Sequence, residues 1–174
     1  DIYEENRLFY DHRQRLGEER WTYTCCVPNT PNWLNKFTDR PIVQSRLLGW
    51  ACFALGFTGF LHWGFNYWDM DDMWFGMNAG AYFKGDGYIV YPDRERQTLL
   101  ETARLDATRG AAEDYELLRM LAERDATLAY DIAGSVVRSF RDFSWDTATI
   151  VGARRRLLQA LDGHLRQEMA EAQV

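Results

Sequence analysis

No stretch of this chain reaches the ~18–20 consecutive apolar residues of a helical membrane span, because charged residues and glycines interrupt every run. A membrane partner is therefore not expected. No signal peptide is visible, and the first residue is Asp1 rather than Met, which gives the expectation of a processed chain or a fragment. Cysteine is scarce: Cys25, Cys26 and Cys52 contain no C-x-x-C spacing, neighbouring cysteines rarely bridge, and one is left over under any pairing. That argues against structural zinc and for reduced, buried thiols. Basic charge is also short, 20 Lys and Arg against 26 Asp and Glu for a net −6, so the chain lacks the basic face that tracks phosphates. A nucleic-acid partner is not expected, and neither is a metal or a cofactor. Internal repeats and low-complexity linkers are absent.

What is present is aromatic. Phe, Trp and Tyr make up 15% of the chain, with seven Trp, and 47% apolar against 26% charged residues is a globular balance. A length of 174 residues suits one domain or a part of a larger one.

Residues 1 to 20 are charged with apolar Leu8, Phe9 and Leu16, and read as a surface helix ended near Gly17. WTYTCCV at 21–27 is rich in β-branched and aromatic residues and stops at Pro28, so a strand is expected, followed by a loop with two prolines and three asparagines. Asp39 and Pro41 give a helix start, with Ile42, Leu48, Ala51, Cys52 and Leu55 near helical spacing and Gly56 as the stop. A strand is expected at about 58–67 and another, GYIVYP, at 87–92. Helices are expected at about 106–124, 125–143 and 146–167, the last with the stripe Ile150, Leu157, Leu158, Leu161, Leu165; ARRR at 153–156 reads as its solvated face. Strand, helix, strand, connection, strand, helix is the order of βα units in a parallel sheet. Three such strands cannot close a barrel, so the chain reads as an incomplete α/β unit.

Four stretches in order carry a resemblance: WTYTCCVPNTPNW, the RPIVQSRLLGW helix, GFLHWGFNYW followed by GDGYIVYP, and RLDATRGAAEDYELLRML. Together, over about residues 20 to 122, they resemble the C-terminal region of glycoside hydrolase family 123. That family shows a Gly-Phe-Leu-x-Trp-x-x-Asn strand, then Gly-Asp-x-x-Leu-x-Tyr-Pro, then an Arg-Leu-Glu-x-Leu-Arg-Asp-Gly-Ile-Glu-Asp-Tyr-Glu helix. The chain departs from it at Asp106, Thr108, Gly110, Ala111 and Ala112. The resemblance implies a (β/α)8 TIM-type barrel acting on N-acetylated hexosaminides, notably β-linked N-acetylgalactosamine. Its chemistry is substrate-assisted: the acetamido oxygen attacks the anomeric carbon, an Asp orients the acetamido group and a Glu is the acid/base. The resemblance implies that the Asp-Glu pair sits upstream of the region resembled, before Asp1; a whole barrel needs ~250 residues, and this chain would carry its last three strands. The fold expectation is α/β, the C-terminal part of such a barrel with about three parallel strands, over residues 1–125. A helical tail, 126–174, would pack on it. The chain would supply one wall of the sugar pocket and no catalytic residue. The alternative reading is a non-catalytic carbohydrate-binding or purely structural α/β module.

Glu113-Asp114 is not taken as that catalytic pair, since adjacent helix positions point about 100° apart. Asp69, Asp71 and Asp72 follow the end of the second strand, where barrels keep their sites, and read as a solvated loop cluster able to meet a cation or sugar hydroxyls. In GFLHWGFNYWD, alternation puts His62, Gly64, Asn66 and Trp68 on one face, expected to face the barrel interior. Leu61, Trp63, Phe65 and Tyr67 fall on the other, expected under the helices. Sugars want an aromatic face for their C–H surface and amides or imidazoles for their hydroxyls. Asn66 and Trp68 are the leading substrate-binding candidates, with His62 deeper and open to a reading as a satisfied core histidine. Trp63 divides the two arguments: the family pattern makes it a signature residue, alternation sends it to the helices unless a bulge intervenes. Tyr23 completes the set, its hydroxyl within reach of an acetamido oxygen or of a structural partner.

Overall fold

The computed structural model describes residues 2–68 and 85–173. Within them the chain is mixed α/β, with six helices and four short strands. The expected surface helix is two: α1 (Ile2–Glu5) and α2 (Arg7–Arg15). Asn6 breaks them apart, its N–H turned back onto the Tyr3 carbonyl. Gly17, at φ +90°, closes α2 in a Schellman motif, with the Glu18 N–H on the Arg13 carbonyl and the Gly17 N–H on that of Gln14.

Strand β1 (Trp21–Thr24) pairs in parallel with β2 (Gly59–His62), with Trp21 opposite Gly59 and Thr24 opposite His62. Helix α3 (Val43–Ala54) connects them, as a βαβ unit requires. Asp39 does not cap α3: the helix starts at Val43 after an Ile42 N-cap that makes no side-chain bond, and the Pro41 and Ile42 carbonyls take the Gln44 and Ser45 N–H groups. Gly56 (φ +72°) does end it, in a second Schellman motif with Phe57 N–H on the Cys52 carbonyl.

The third parallel strand is not there among the described residues. Residues 87–92 lie against the end of β2 in the opposite sense, with an isolated antiparallel bridge between Asn66 and Tyr88. The chain then forms a hairpin, β3 (Tyr91–Asp93) against β4 (Thr98–Leu100), antiparallel and turned at Gln97 with φ +51°. Pro92 explains the difference: without an N–H it cannot complete a central ladder, and it sits in a two-stranded edge. The second strand is also shorter than its aromatic run, regular only to His62.

Helix α4 (Ala103–Ala122) starts three residues before the expected Asp106, because the Thr102 hydroxyl accepts the Leu105 N–H as an N-cap and donates to the Ile89 carbonyl. Helix α5 (Ala126–Gly134) stops nine residues short of its expected end. Beyond it, Ser139 Oγ accepts from the Arg141 and Asp142 N–H groups and Val137 bridges Phe143, so serine side chains and a local bridge replace helical bonding. Helix α6 (Thr147–Glu171) starts at the expected Asp146, whose carboxylate accepts from the Ala148 and Thr149 N–H groups.

One apolar core joins these parts. Leu47, Trp50 and Ala51 of α3, Leu118 and Leu121 of α4, Ile132 and Ala133 of α5 and Leu157 of α6 are fully buried in a single cluster. Helices α3 and α4 cross closely at Gly49, where a Cβ would fall 2.0 Å from the Ala111 carbonyl oxygen. Phe60 of β2 turns toward these helices and, with Leu48, Cys52, Ala111 and Tyr115, lines a cavity of about 340 Å³. No described helix is long and apolar enough to cross a membrane.

Candidate functional site

The two parallel strands end side by side at Thr24 and His62. Past that end the chain at 63–68 is pinned to residues 85–90: Tyr67 N–H donates to the Gly87 carbonyl at 2.9 Å and Ile89 N–H to the Phe65 carbonyl at 2.9 Å. Contact here is backbone to backbone, since a Cβ on Gly64 would sit 2.5 Å from Gly87 Cα. Arg104, buried in α4, holds the far side by donating to the Lys36, Gly85 and Tyr88 carbonyls at 3.0, 2.7 and 2.6 Å.

The faces of the second strand come out reversed from the alternation reading. Phe60 and His62 lie on the side covered by helices and loops, whereas Leu61, Trp63, Phe65 and Tyr67 are exposed, Leu61 at 52% and Trp63 at 37%. Tyr23, opposite Leu61 in the parallel register, is exposed with them. The aromatic set expected beneath the helices therefore forms the open face, and the disagreement over Trp63 resolves toward the open side. A polar residue in a strand does not mark the solvent side when its partners lie within the core; His62 has such partners.

His62 is held at both nitrogens. Nε2 lies 2.7 Å from the Asp86 carbonyl, and Nδ1 is 2.7 Å from the Thr24 carbonyl and 3.2 Å from Thr24 Oγ1. Both short contacts are to carbonyl acceptors, and a neutral ring donates to one of them only, while the Thr24 hydroxyl can donate to Nδ1 when Nε2 carries the proton. Burial and the nearby Lys36 charge depress its pKa, which favours that neutral form. His62 is thus a strap between β1 and the 85–88 loop. Lys36 is itself buried with its ammonium 5.0 Å from the Phe60 ring centre, and burial together with the Arg104 charge brings it down to about 8.

Trp63 lays its ring edge on Gly87, where a Cβ would come within 3.2 Å, tilts against Tyr67 at 5.3 Å, and donates its indole N–H to Asp86 Oδ2 at 2.7 Å. Asp86 is buried, and desolvation raises its carboxyl pKa against the opposing pull of Trp63, His62 and Lys36. Asn66 is exposed on the bridge to Tyr88; Trp68 is half-buried and donates to the Val90 carbonyl at 3.0 Å. His62, Trp63, Asn66 and Trp68 therefore gather where 62–68 meets 85–90, with Tyr23 beside them on β1. The aspartates at 69, 71 and 72 lie outside the described residues. A cleft of about 690 Å³ between α2 and β1 takes in only Tyr23 of the five. No cluster of three metal-ligating side chains occurs among the described residues.

Asp86 is the residue that sequence reasoning passed over. Its signal was present, since Gly85-Asp86-Gly87 opens the GDGYIVYP stretch, but the carboxylate meets Trp63 across 23 positions. The Cys25 and Cys26 sulfurs lie 4.0 Å apart. Glu113 is exposed while Asp114 is buried, which separates that pair as helical geometry requires.

A parallel pair with aromatics exposed past its C-terminal end defines a mixed α/β scaffold of the kind that carries sites at strand ends. The same fold occurs in a solved family 123 glycoside hydrolase from Clostridium perfringens, described for glycolipid glycan hydrolysis, at TM-score 0.60 and 20% identity. The likeness covers 94% of this chain and 30% of that enzyme, so the chain spans about a third of its length. A search of curated proteins found no match. Residues 2–121 match the family model described as glycoside hydrolase 123, catalytic domain. The chain belongs to glycoside hydrolase family 123.

Proposed function

We propose that this chain is the C-terminal part of a (β/α)8 barrel glycosidase acting on N-acetylated hexosaminides, and that it forms one wall of the sugar pocket. Residues 1–125 are the βα units and 126–174 the helical tail packed on them. The catalytic Asp-Glu pair lies upstream, in the part of the barrel this chain does not span. The observation that carries the reading is the open aromatic face at the C-terminal end of the parallel pair, bearing Tyr23 and Trp63, with Asn66 and Trp68 where 62–68 meets 85–90. In barrels that end holds the active site. Trp63 offers a ring face to the sugar's C–H surface, while the Asn66 amide and the Tyr23 hydroxyl offer hydrogen bonds to its hydroxyl or acetamido groups.

Trp63→Ala and Asn66→Ala in the full-length protein test it, with a chromogenic β-N-acetylgalactosaminide as substrate. The pocket reading expects KM to rise about tenfold for Trp63→Ala and severalfold for Asn66→Ala, the sizes of a lost aromatic contact and a lost hydrogen bond. Unchanged kinetic constants in both would remove these residues from the pocket.

A further inference from the structure

Within that reading of a sugar wall, one buried group is unaccounted for. Asp86 is 2% exposed, and no arginine or lysine approaches its carboxylate within ion-pair distance among the described residues. Oδ1 has no hydrogen-bond partner there and stands 3.8 Å from His62 Nε2. Burying a carboxylate under those conditions is costly, so its one good bond must matter. That bond is to the Trp63 indole N–H, at 2.7 Å.

The loop that carries Asp86 does not need this carboxylate to hold its shape. Arg104 binds the Gly85 and Tyr88 carbonyls, His62 binds the Asp86 carbonyl, the Gly87 carbonyl accepts from the Tyr67 N–H, and the Ile89 N–H donates to the Phe65 carbonyl. All of those restraints act on main-chain atoms. Among the described residues the side chain's one hydrogen bond goes to Trp63, whose ring also rests on Gly87. An indole with its edge seated on a glycine and its N–H clamped by a carboxylate keeps one orientation, and Trp63 held so is 37% exposed.

We propose that Asp86 is a positioning residue for Trp63, fixing the indole so that its exposed face forms the aromatic floor of the N-acetylhexosaminide pocket. A preset ring costs less ordering when the sugar binds than one free to turn about χ1 and χ2.

The test is a double-mutant cycle in the full-length protein, with Asp86→Ala, Trp63→Phe and both together. Trp63→Phe keeps an aromatic ring and removes the N–H donor. With the chromogenic β-N-acetylgalactosaminide, Asp86→Ala is expected to raise KM about tenfold with a smaller change in kcat, the scale of a hydrogen bond to a charged group. In the Trp63→Phe background the same change is expected to add less than twofold, because the bond it breaks is already gone. Asp86→Asn, whose amide oxygen can accept the same bond, is expected to keep most of the affinity. Equal fold effects in both backgrounds would overturn the proposal. A separate arm reads the indole N–H signal of Trp63 in the ¹⁵N spectrum of the full-length protein, assigned by its disappearance in Trp63→Phe. A downfield, exchange-protected signal that moves upfield in Asp86→Asn or Asp86→Ala supports the clamp, and an unmoved signal refutes it. Absence of turnover of any N-acetylhexosaminide by the unsubstituted full-length protein would fall on the pocket reading, while the spectral arm still decides the clamp.

Discussion

At the scale of single residues, the polar groups inside this chain divide into those that hold structure and those that face outward. Asp114 is of the first kind. Its carboxylate accepts from Arg46 at 2.7 and 3.1 Å, Arg154 at 2.8 Å and the Trp50 indole at 2.9 Å, tying α3, α4 and α6 together. Burial alone would raise its pKa; the bonds from Arg46, Trp50 and Arg154 outweigh that and hold it below the ordinary 3.8. A depressed carboxyl contributes stability that is present above the unfolded pKa, near 4, and is lost as pH falls through the folded value. Asp114→Asn is therefore expected to lower stability at pH 7 by about 2 kcal/mol or more and to flatten the acid limb of the stability curve below about pH 4. Urea midpoints measured from pH 3 to 7 check this; parallel curves for the two proteins would contradict it. Lys36 works with the opposite sign. Its pKa is lowered to about 8 from 10.5, so its charged form opposes folding below pH 8 and the penalty lifts between pH 8 and 10.5. The buried Cys52 thiol, pushed up to about 12, opposes this by losing its contribution as pH rises above 9. The difference between the wild-type chain and Lys36→Met isolates the lysine, and the wild-type's relative stability is expected to rise with pH across that window. A difference that stays flat with pH would remove the shift.

At the scale of elements, legibility followed the reach of the signal. Helix α6 was readable at its start because Asp146 caps it within three residues, and the end of α3 because Gly56 closes it locally. The end of α5 was not, since what stops it is a bridge and serine turns that local apolar spacing does not announce. The β3–β4 hairpin was missed because Pro92 and the Gln97 turn are readable only once the partner strand is known. Facing was the largest error: period-2 alternation was right within β2, but the sign of the two faces depends on helices elsewhere in the chain. Glycines give a sharp test of the packing. Gly49→Ala would drive a methyl into the Ala111 carbonyl, backbone that cannot yield without parting α3 from α4. It is expected to cost about 2–3 kcal/mol or prevent folding. Gly163→Ala on the exposed face of α6 meets nothing within 4 Å and is expected to add roughly 0.5–1 kcal/mol. Thermal melts of the two variants check both, and a similar effect in each would contradict the close α3–α4 crossing.

At the scale of the molecule, the chain is a piece of sheet with helices on one side and aromatics open on the other. Among the described residues β1 pairs only with β2, and Trp21, Tyr23, Leu61 and Trp63 are exposed along that pair and just past its end. A free parallel edge beside exposed aromatics is uncommon in a finished domain, because parallel sheets are normally covered on both faces. The family was readable from four ordered motifs, and the family model covers residues 2–121. The candidate site was legible only in part: the strand's end suggested where to look, but the Asp86–Trp63 bond and the facing of Trp63 are long-range facts. We propose a wall of the sugar pocket here, with the catalytic pair outside this chain. The most direct test is turnover of a chromogenic β-N-acetylgalactosaminide, measured for the isolated 174-residue chain and for the full-length protein side by side. Hydrolysis is expected from the full-length protein and none from the isolated chain; turnover by the isolated chain would place the catalytic pair within it.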